Sequence, residues 1–279
     1  MSKRKLGPLY IALAAVFWSL GGLGAKYIPW HPLSIACVRG TMAALTIILL
    51  RRSFKVNLTW PTAATSLCMF ATTILFMFAN KMTTAANAIV LQYTAPVYVL
   101  VASILLAKKR PRKMDIITVS LTFAGIALFF VDHLGHGAIT GDILALLSGA
   151  TFAGVFFFNS LPGAHPQDAS FLGCLLSSTL LPFLLTDTAA VQSGAFPWAV
   201  AIFMGIFQLG FAYFFFAKGV RETGAVTSSI ICTAEPILNP IWVFLAVGER
   251  PGALAIAGAV IVVLTICFYN VQNARQAVN

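Results

Sequence analysis

The chain has 279 residues, of which 59% are hydrophobic and 9% charged, and its mean hydropathy is +0.90. Too few polar groups remain to cover a water-facing surface, which excludes a soluble globular protein and implies an integral membrane protein. The net charge of +10 comes in short clusters between apolar runs, such as RRSFK and KKRPRK, the pattern of orientation signals rather than of a nucleic-acid surface.

Crossing a bilayer takes about 20 apolar residues as a helix, and no barrel-type alternation is present, so an all-α membrane architecture is expected. Cutting at turn residues and charges predicts ten spans, near 9–27, 33–50, 59–80, 85–107, 115–131, 142–159, 169–186, 197–217, 224–247 and 253–270. The first follows a basic start in the manner of a signal peptide but runs on into further spans, and is read as a retained helix. It carries Trp18 at mid-span, a donor that needs a partner when buried, and Gly21, Gly22, Gly24 and Ala25, which thin one side for close packing.

Arg39 lies six residues into the second span from Leu33, roughly 9 Å along the helix. Its plain reading is snorkelling to the outer headgroups; the functional one is a carboxylate anchor or an internal ion pair. The third span holds Phe76 and Asn80. In the fourth, Asn87, Thr94 and Tyr98 recur at helical spacing with Gln92 and Tyr93 nearby, and Pro96 removes the donor for the Gln92 carbonyl. His133 and His136, in DHLGHG, have a spacing that a metal could use, but only Asp132 and Asp142 stand near, and a solvated loop is expected. The sixth span ends with Phe156 and Asn159, and the eighth contains Gln208, Phe211, Tyr213 and Phe215.

The ninth span, TAEPILNPIWVFLAVGERPG from Thr233, contains Glu235, Pro236 and Pro240, and one helical stripe collects Ser228, Cys232, Glu235, Asn239 and Trp242. Polar atoms cannot face lipid cheaply, so these stripes point inward, to a cavity or to packing. Glu235 near mid-bilayer must be protonated, paired or hydrated. It is either a proton carrier or a hydrogen-bonding brace for the proline-broken helix, and the brace is the reading preferred. The five cysteines, Cys37, Cys68, Cys174, Cys232 and Cys267, are unclustered, which speaks against disulfide or metal frameworks.

With the N-terminus inside, fourteen of the eighteen basic residues fall on the cytoplasmic side, against Lys26, Lys81 and Arg250 outside and Arg39 within a span. Both termini are therefore expected in the cytoplasm. Shifting the chain by 140 residues lays KMTTAANAIVLQYTAPVYVLVASILLAKKRP, from Lys81, on RETGAVTSSIICTAEPILNPIWVFLAVGERP, from Arg221. Lys81 then meets Arg221, Thr83 meets Thr223, Pro96 meets Pro236, and Arg110-Pro111 meets Arg250-Pro251; GPLYIAL and GDILALL match at a shift of 134. Two five-span units, 1–137 and 138–279, are predicted within one membrane domain. An odd number of crossings makes the repeat inverted, with a pseudo-two-fold axis in the membrane plane. That arrangement serves a transporter opening to either side in turn. Pro96, Pro236 and Pro240 are then candidate hinges.

Ten spans in an inverted repeat, Trp18-Ser19, Arg39, Pro96, and Glu235-Pro236 followed by GERPG resemble the EamA-type branch of the drug/metabolite transporter superfamily, over essentially the whole chain. Within it the chain looks most like bacterial exporters of amino acids, including aromatic ones. It departs from a simple duplication in that Ala95 stands where the second unit has Glu235. The resemblance implies a multi-pass protein of the bacterial inner membrane that exports small metabolites, with drug or nucleoside-type cargo as the alternative. The substrate-cavity candidates are Trp18, Asn80, Asn87, Gln92, Tyr93, Tyr98, Asn159, Gln208, Tyr213, Glu235, Asn239 and Trp242.

No phosphate loop, zinc spacing or nucleophile elbow occurs, and no histidine lies deep in a span, so an intramembrane enzyme is not expected. A scaffold would have no use for matched helix breakers. The expected partners are an amino acid or similar small molecule and the lipid bilayer, with no nucleic acid, metal or cofactor and with the chain acting as a monomer.

Overall fold

The computed structural model describes residues 6–95, 97–98, 101, 112–132, 138–159, 161–223, 231–232, 234–248, 250 and 252–278. Pro96, His133, His136 and Ser228, with the side chains of Asp132 and Phe156, lie outside the described residues. Those described form helices and no strands. They are α1 (Gly7–Ser19), α2 (Gly21–Tyr27), α3 (Pro32–Arg51), α4 (Trp60–Met82), α5 (Ala85–Gln92), α6 (Lys113–Asp132) and α7 (Ile139–Asn159). There follow α8 (Pro166–Leu176), α9 (Leu181–Thr186), α10 (Thr188–Val191), α11 (Ala195–Phe203), α12 (Ala212–Thr223), α13 (Ala234–Val247) and α14 (Ala253–Val278). A tight 3₁₀ turn, Ser177–Leu180, joins α8 to α9, and a π-helical stretch, Met204–Phe211, joins α11 to α12.

Six of these stretches are long and apolar enough to cross a membrane: Gly7–Tyr27, Pro32–Arg51, Trp60–Met82, Ile139–Asn159, Pro166–Thr186 and Ala195–Gly219. Ile116–Leu128, Ala234–Val247 and Ala253–Tyr269 are shorter apolar helices. Local chemistry sets the starts. Pro32 and Pro166 occupy the first turns of α3 and α8, where the missing N–H costs nothing. Thr59 and Thr84 cap α4 and α5, accepting hydrogen bonds from Thr62 N (3.4 Å) and Asn87 N (3.1 Å). The first span is broken at Leu20 between α1 and α2.

Packing is tightest where side chains are small or absent. A Cβ on Gly22 would lie 2.5 Å from Asn239 Oδ1 and 2.9 Å from Ala85 Cβ, so α2, α5 and α13 meet closely only because this position is bare. The expectation that the glycines of the first span serve packing holds here. Hydroxyls tie α4 to α7, with Thr72 and Thr151 Oγ1 atoms 2.8 Å apart and Ser148 Oγ donating to the Thr72 carbonyl (3.3 Å). The helix pairs in contact include α4–α7, α1–α12, α4–α8, α3 with the π-helical stretch, α5–α7, α1–α13, α3–α8, α5–α13 and α6–α14.

Polar clusters clasp the α3 and α8–α9 segments at both ends. At one end Arg51 forms an ion pair with Asp168, which also accepts from Asn57 N (3.0 Å), while Thr59 Oγ1 donates to the Gly163 carbonyl (2.7 Å). At the other, His31 N donates to Asp187 Oδ2 (2.8 Å), and Trp30 Nε1 donates to Ser193 Oγ (3.0 Å). The Arg51 and Asp168 side chains are 12% and 7% exposed, so removing one partner strands a nearly buried charge. Asp168→Ala is expected to cost about 3–5 kcal/mol of stability. Thermal unfolding in detergent should show that loss, and show most of it regained in Arg51→Met/Asp168→Leu. A single substitution as stable as wild type would count against the clasp.

Candidate functional site

The helix pairs leave a central cavity of about 50 Å³. From α1 it takes Trp18, from α3 Arg39, from α4 Thr72, Thr73 and Phe76, and from α5 Gln92. Phe152 of α7, Gln208 and Leu209 of the π-helical stretch, Tyr213 of α12 and Glu235 of α13 complete it. Trp18, Arg39, Gln92, Gln208, Tyr213 and Glu235 were all candidates from the sequence, and Phe76 was an expected aromatic partner. Thr72, Thr73 and Phe152 were not foreseen. Thr72 precedes Phe76 by one helical turn, a spacing that marks it for the same face.

Arg39 is 2% exposed, enclosed by helices rather than extended to the headgroups. The snorkelling expectation is thereby corrected, because α3 is packed along its length and offers this side chain no route out. Its Nη1 donates to Gln208 Oε1 at 3.4 Å, and Gln208 Nε2 donates at 3.4 Å to the Trp18 carbonyl. Trp18 packs edge-on against Tyr213, with ring centroids 5.4 Å apart. Gln92 Nε2 donates to Ser148 Oγ (2.7 Å).

Glu235 is buried and accepts a 2.6 Å hydrogen bond from Tyr93 Oη. The same hydroxyl lies 3.1 Å from the Cys232 carbonyl, the group that Pro236 deprives of its helical donor. Tyr93 thus serves the proline break from the neighbouring helix, as buried backbone in a membrane requires. Arg39 and Glu235 line one cavity but share no ion pair: each is held by a neutral partner.

Other candidates are placed elsewhere. Asn80 donates to the Phe76 carbonyl within its own helix (2.9 Å). Asn87 lies with Thr83 beside Asp142, where Thr83 Oγ1 donates to Asp142 Oδ1 (2.7 Å) and Asn87 Nδ2 approaches the same oxygen (3.4 Å). Asn239 is packed against Gly22, and Trp242 Nε1 donates to Ser19 Oγ (2.9 Å), tying α13 to α1. Tyr98 and Asn159 are half-buried and line no part of the cavity. Pro236 is buried, and Pro240 lies inside α13.

A space of about 50 Å³ admits a water or two, whereas ligand sites run to about 300–1,000 Å³. As it stands the cavity is too small for a drug-sized ligand. A second pocket, of about 330 Å³, has Arg51, Lys55, Asn57, His165 and Asp168 among its walls. It is larger, but it sits at the helix-end clasp, whereas the small cavity is where buried polar groups of α1, α3, α5, the π-helical stretch and α13 face one another.

The family model described as the EamA-like transporter family matches residues 5–131 and again 139–271. The chain is 26% identical to the uncharacterized transporter YwfM of Bacillus subtilis (strain 168), over 98% of this chain and 97% of that one. It is 23% identical to the biotin transporter of Escherichia coli (strain K12), over 53% of this chain and 52% of the relative. A solved crystal structure superposes with a TM-score of 0.62 at 20% identity, covering 97% of both chains, which shows a shared fold.

Proposed function

The chain belongs to the EamA-like transporter family, and from that premise we propose that it is a secondary transporter exporting small metabolites, amino acids first among them. It works by alternating access across the bacterial inner membrane, as ten spans in two inverted five-span units, 1–137 and 138–279, with both termini cytoplasmic. It acts as a monomer.

The observation that carries this reading is the composition of the cavity. Trp18, Arg39, Thr72, Phe76 and Gln92 come from the first unit, and Phe152, Gln208, Tyr213 and Glu235 from the second. A site between repeats is what a rocking mechanism needs, since either unit can move away from it. The helix contacts support the same reading. Exchanging the units turns α4–α7 into α12–α1, α4–α8 into the π-helical stretch on α3, and α5–α7 into α13–α1. The pairs α3–α8, α5–α13 and α6–α14 map onto themselves. The family model's match to each half agrees. For cargo, amides and aromatic faces around one guanidinium and one carboxyl suit a zwitterion.

The decisive experiment is uptake by purified protein in liposomes, against amino acids, biotin, nucleosides and cationic drugs. Amino acids are expected to move down their gradient, and failure of every compound beside a working control transporter would defeat the proposal. For topology, single cysteines at 132–141 and 186–196 should label from outside intact cells and those at 108–114 from inside. Outside labelling at 108–114 would reverse the orientation.

A further inference from the structure

We propose that Arg39 and Trp18 together form the anchor for a substrate carboxylate, so that the cargo is a metabolite with one accessible carboxylate. The inference rests on the transporter reading and adds the chemical class of the cargo.

Arg39 is a guanidinium enclosed in the bundle, and among the described residues it forms no ion pair. Its Nε has no hydrogen-bond partner, and its Nη1 reaches only a neutral amide at 3.4 Å. Such a group is costly in a membrane interior unless something negative meets it. The indole Nε1 of Trp18 is also buried and unpartnered, and Trp18 lines the same cavity. Two unused donors around one cavity call for an acceptor, and a charged one satisfies the guanidinium as well.

The lining also sets which anion. Among the described residues Arg39 is its one cation, and Glu235 is part of the same lining. A phosphate monoester would bring close to two negative charges against a single guanidinium, leaving the second unpaired beside the Glu235 carboxyl. A carboxylate brings one charge and two oxygens, enough for a guanidinium N–H and the indole N–H. Phe76, Phe152 and Tyr213 leave the rest of the ligand among aromatic faces.

The test uses the full chain in liposomes and compares carboxylates with their amides and amines. Phenylalanine is set beside phenylalaninamide and phenethylamine, and phenylpropionate beside phenylpropionamide. Charge-assisted hydrogen bonds of this kind should make each carboxylate about tenfold to a hundredfold stronger as a competitor or cargo than its uncharged or cationic counterpart. In Arg39→Gln, shown by thermal unfolding to be folded, that preference should collapse toward unity, and Trp18→Phe should shrink it partially. Equal competition by carboxylate and amide in the wild type, or an undiminished preference in Arg39→Gln, overturns the inference. Transport of a nucleoside or an organic cation with no carboxylate moving also overturns it, yet leaves the transporter reading standing. No movement of any compound defeats both.

Discussion

Replacing Gly205 by valine is expected to leave no folded protein to purify. Gly205 lies in the π-helical stretch against α3, and a Cβ there would sit 2.4 Å from Met42 Cβ and 2.7 Å from the Arg39 carbonyl oxygen. Neither atom is the end of a flexible side chain, so relief requires moving α3 itself. That movement would pull apart a packed interface. Even Gly205→Ala should cost about 1–3 kcal/mol or more. A single dispersed peak on size exclusion and a wild-type unfolding temperature for the valine variant would refute this. Gly194→Ala is the comparison: a Cβ there meets nothing within 4 Å, so the loss should not exceed the roughly 1 kcal/mol that alanine costs at the cap of α11.

Glu235→Ala is expected to lose most transport, and Glu235→Gln to keep much of it. The reason is the Tyr93 hydroxyl, which carries one hydrogen and faces two acceptors, Glu235 Oε2 at 2.6 Å and the Cys232 carbonyl at 3.1 Å. If residue 235 can donate to Tyr93 Oη, the tyrosine hydrogen is released to the carbonyl that Pro236 leaves without a helical donor. A protonated glutamic acid can do this, and so can a glutamine amide. Alanine cannot, and it also leaves a void beside the break. Tyr93→Phe should behave like alanine, because a buried carbonyl without a donor costs about 1–3 kcal/mol. Initial rates in liposomes, with unfolding temperature measured in parallel, check each variant. If glutamine and alanine fail alike while substrate still binds, and the pH dependence of wild-type transport vanishes in both, the carboxyl carries a proton and the bracing reading is wrong.

Much of the framework was legible before any coordinates. The composition determined that the chain is an all-helical membrane protein, because 9% charged residues cannot clothe a soluble surface. Helix starts were written locally at Pro32, Thr59 and Thr84, since capping and first-turn proline act within a few residues. The consequence of Pro236 for the Cys232 carbonyl followed from covalent geometry alone. Its donor did not, because Tyr93 lies 139 positions from Cys232, and nothing local couples them.

What only the tertiary structure decided is which inward polar groups meet. Lipid drives polar side chains off the outer surface, and helical period tells which face they share. In a bundle, however, the inward face includes both packing seams and cavity. Asn87 and Trp242 had the same credentials as Gln92 and Glu235, yet Asp142 and Ser19 engage the first pair, while the cavity collects the second. Arg39 could have reached the headgroups, but burial under α8 and the π-helical stretch holds it inside, and that stretch brings Gln208 to it. The rotation and neighbours of each helix are set by contacts between residues far apart in the chain. The period of a single span therefore specifies an inward face but not what that face meets.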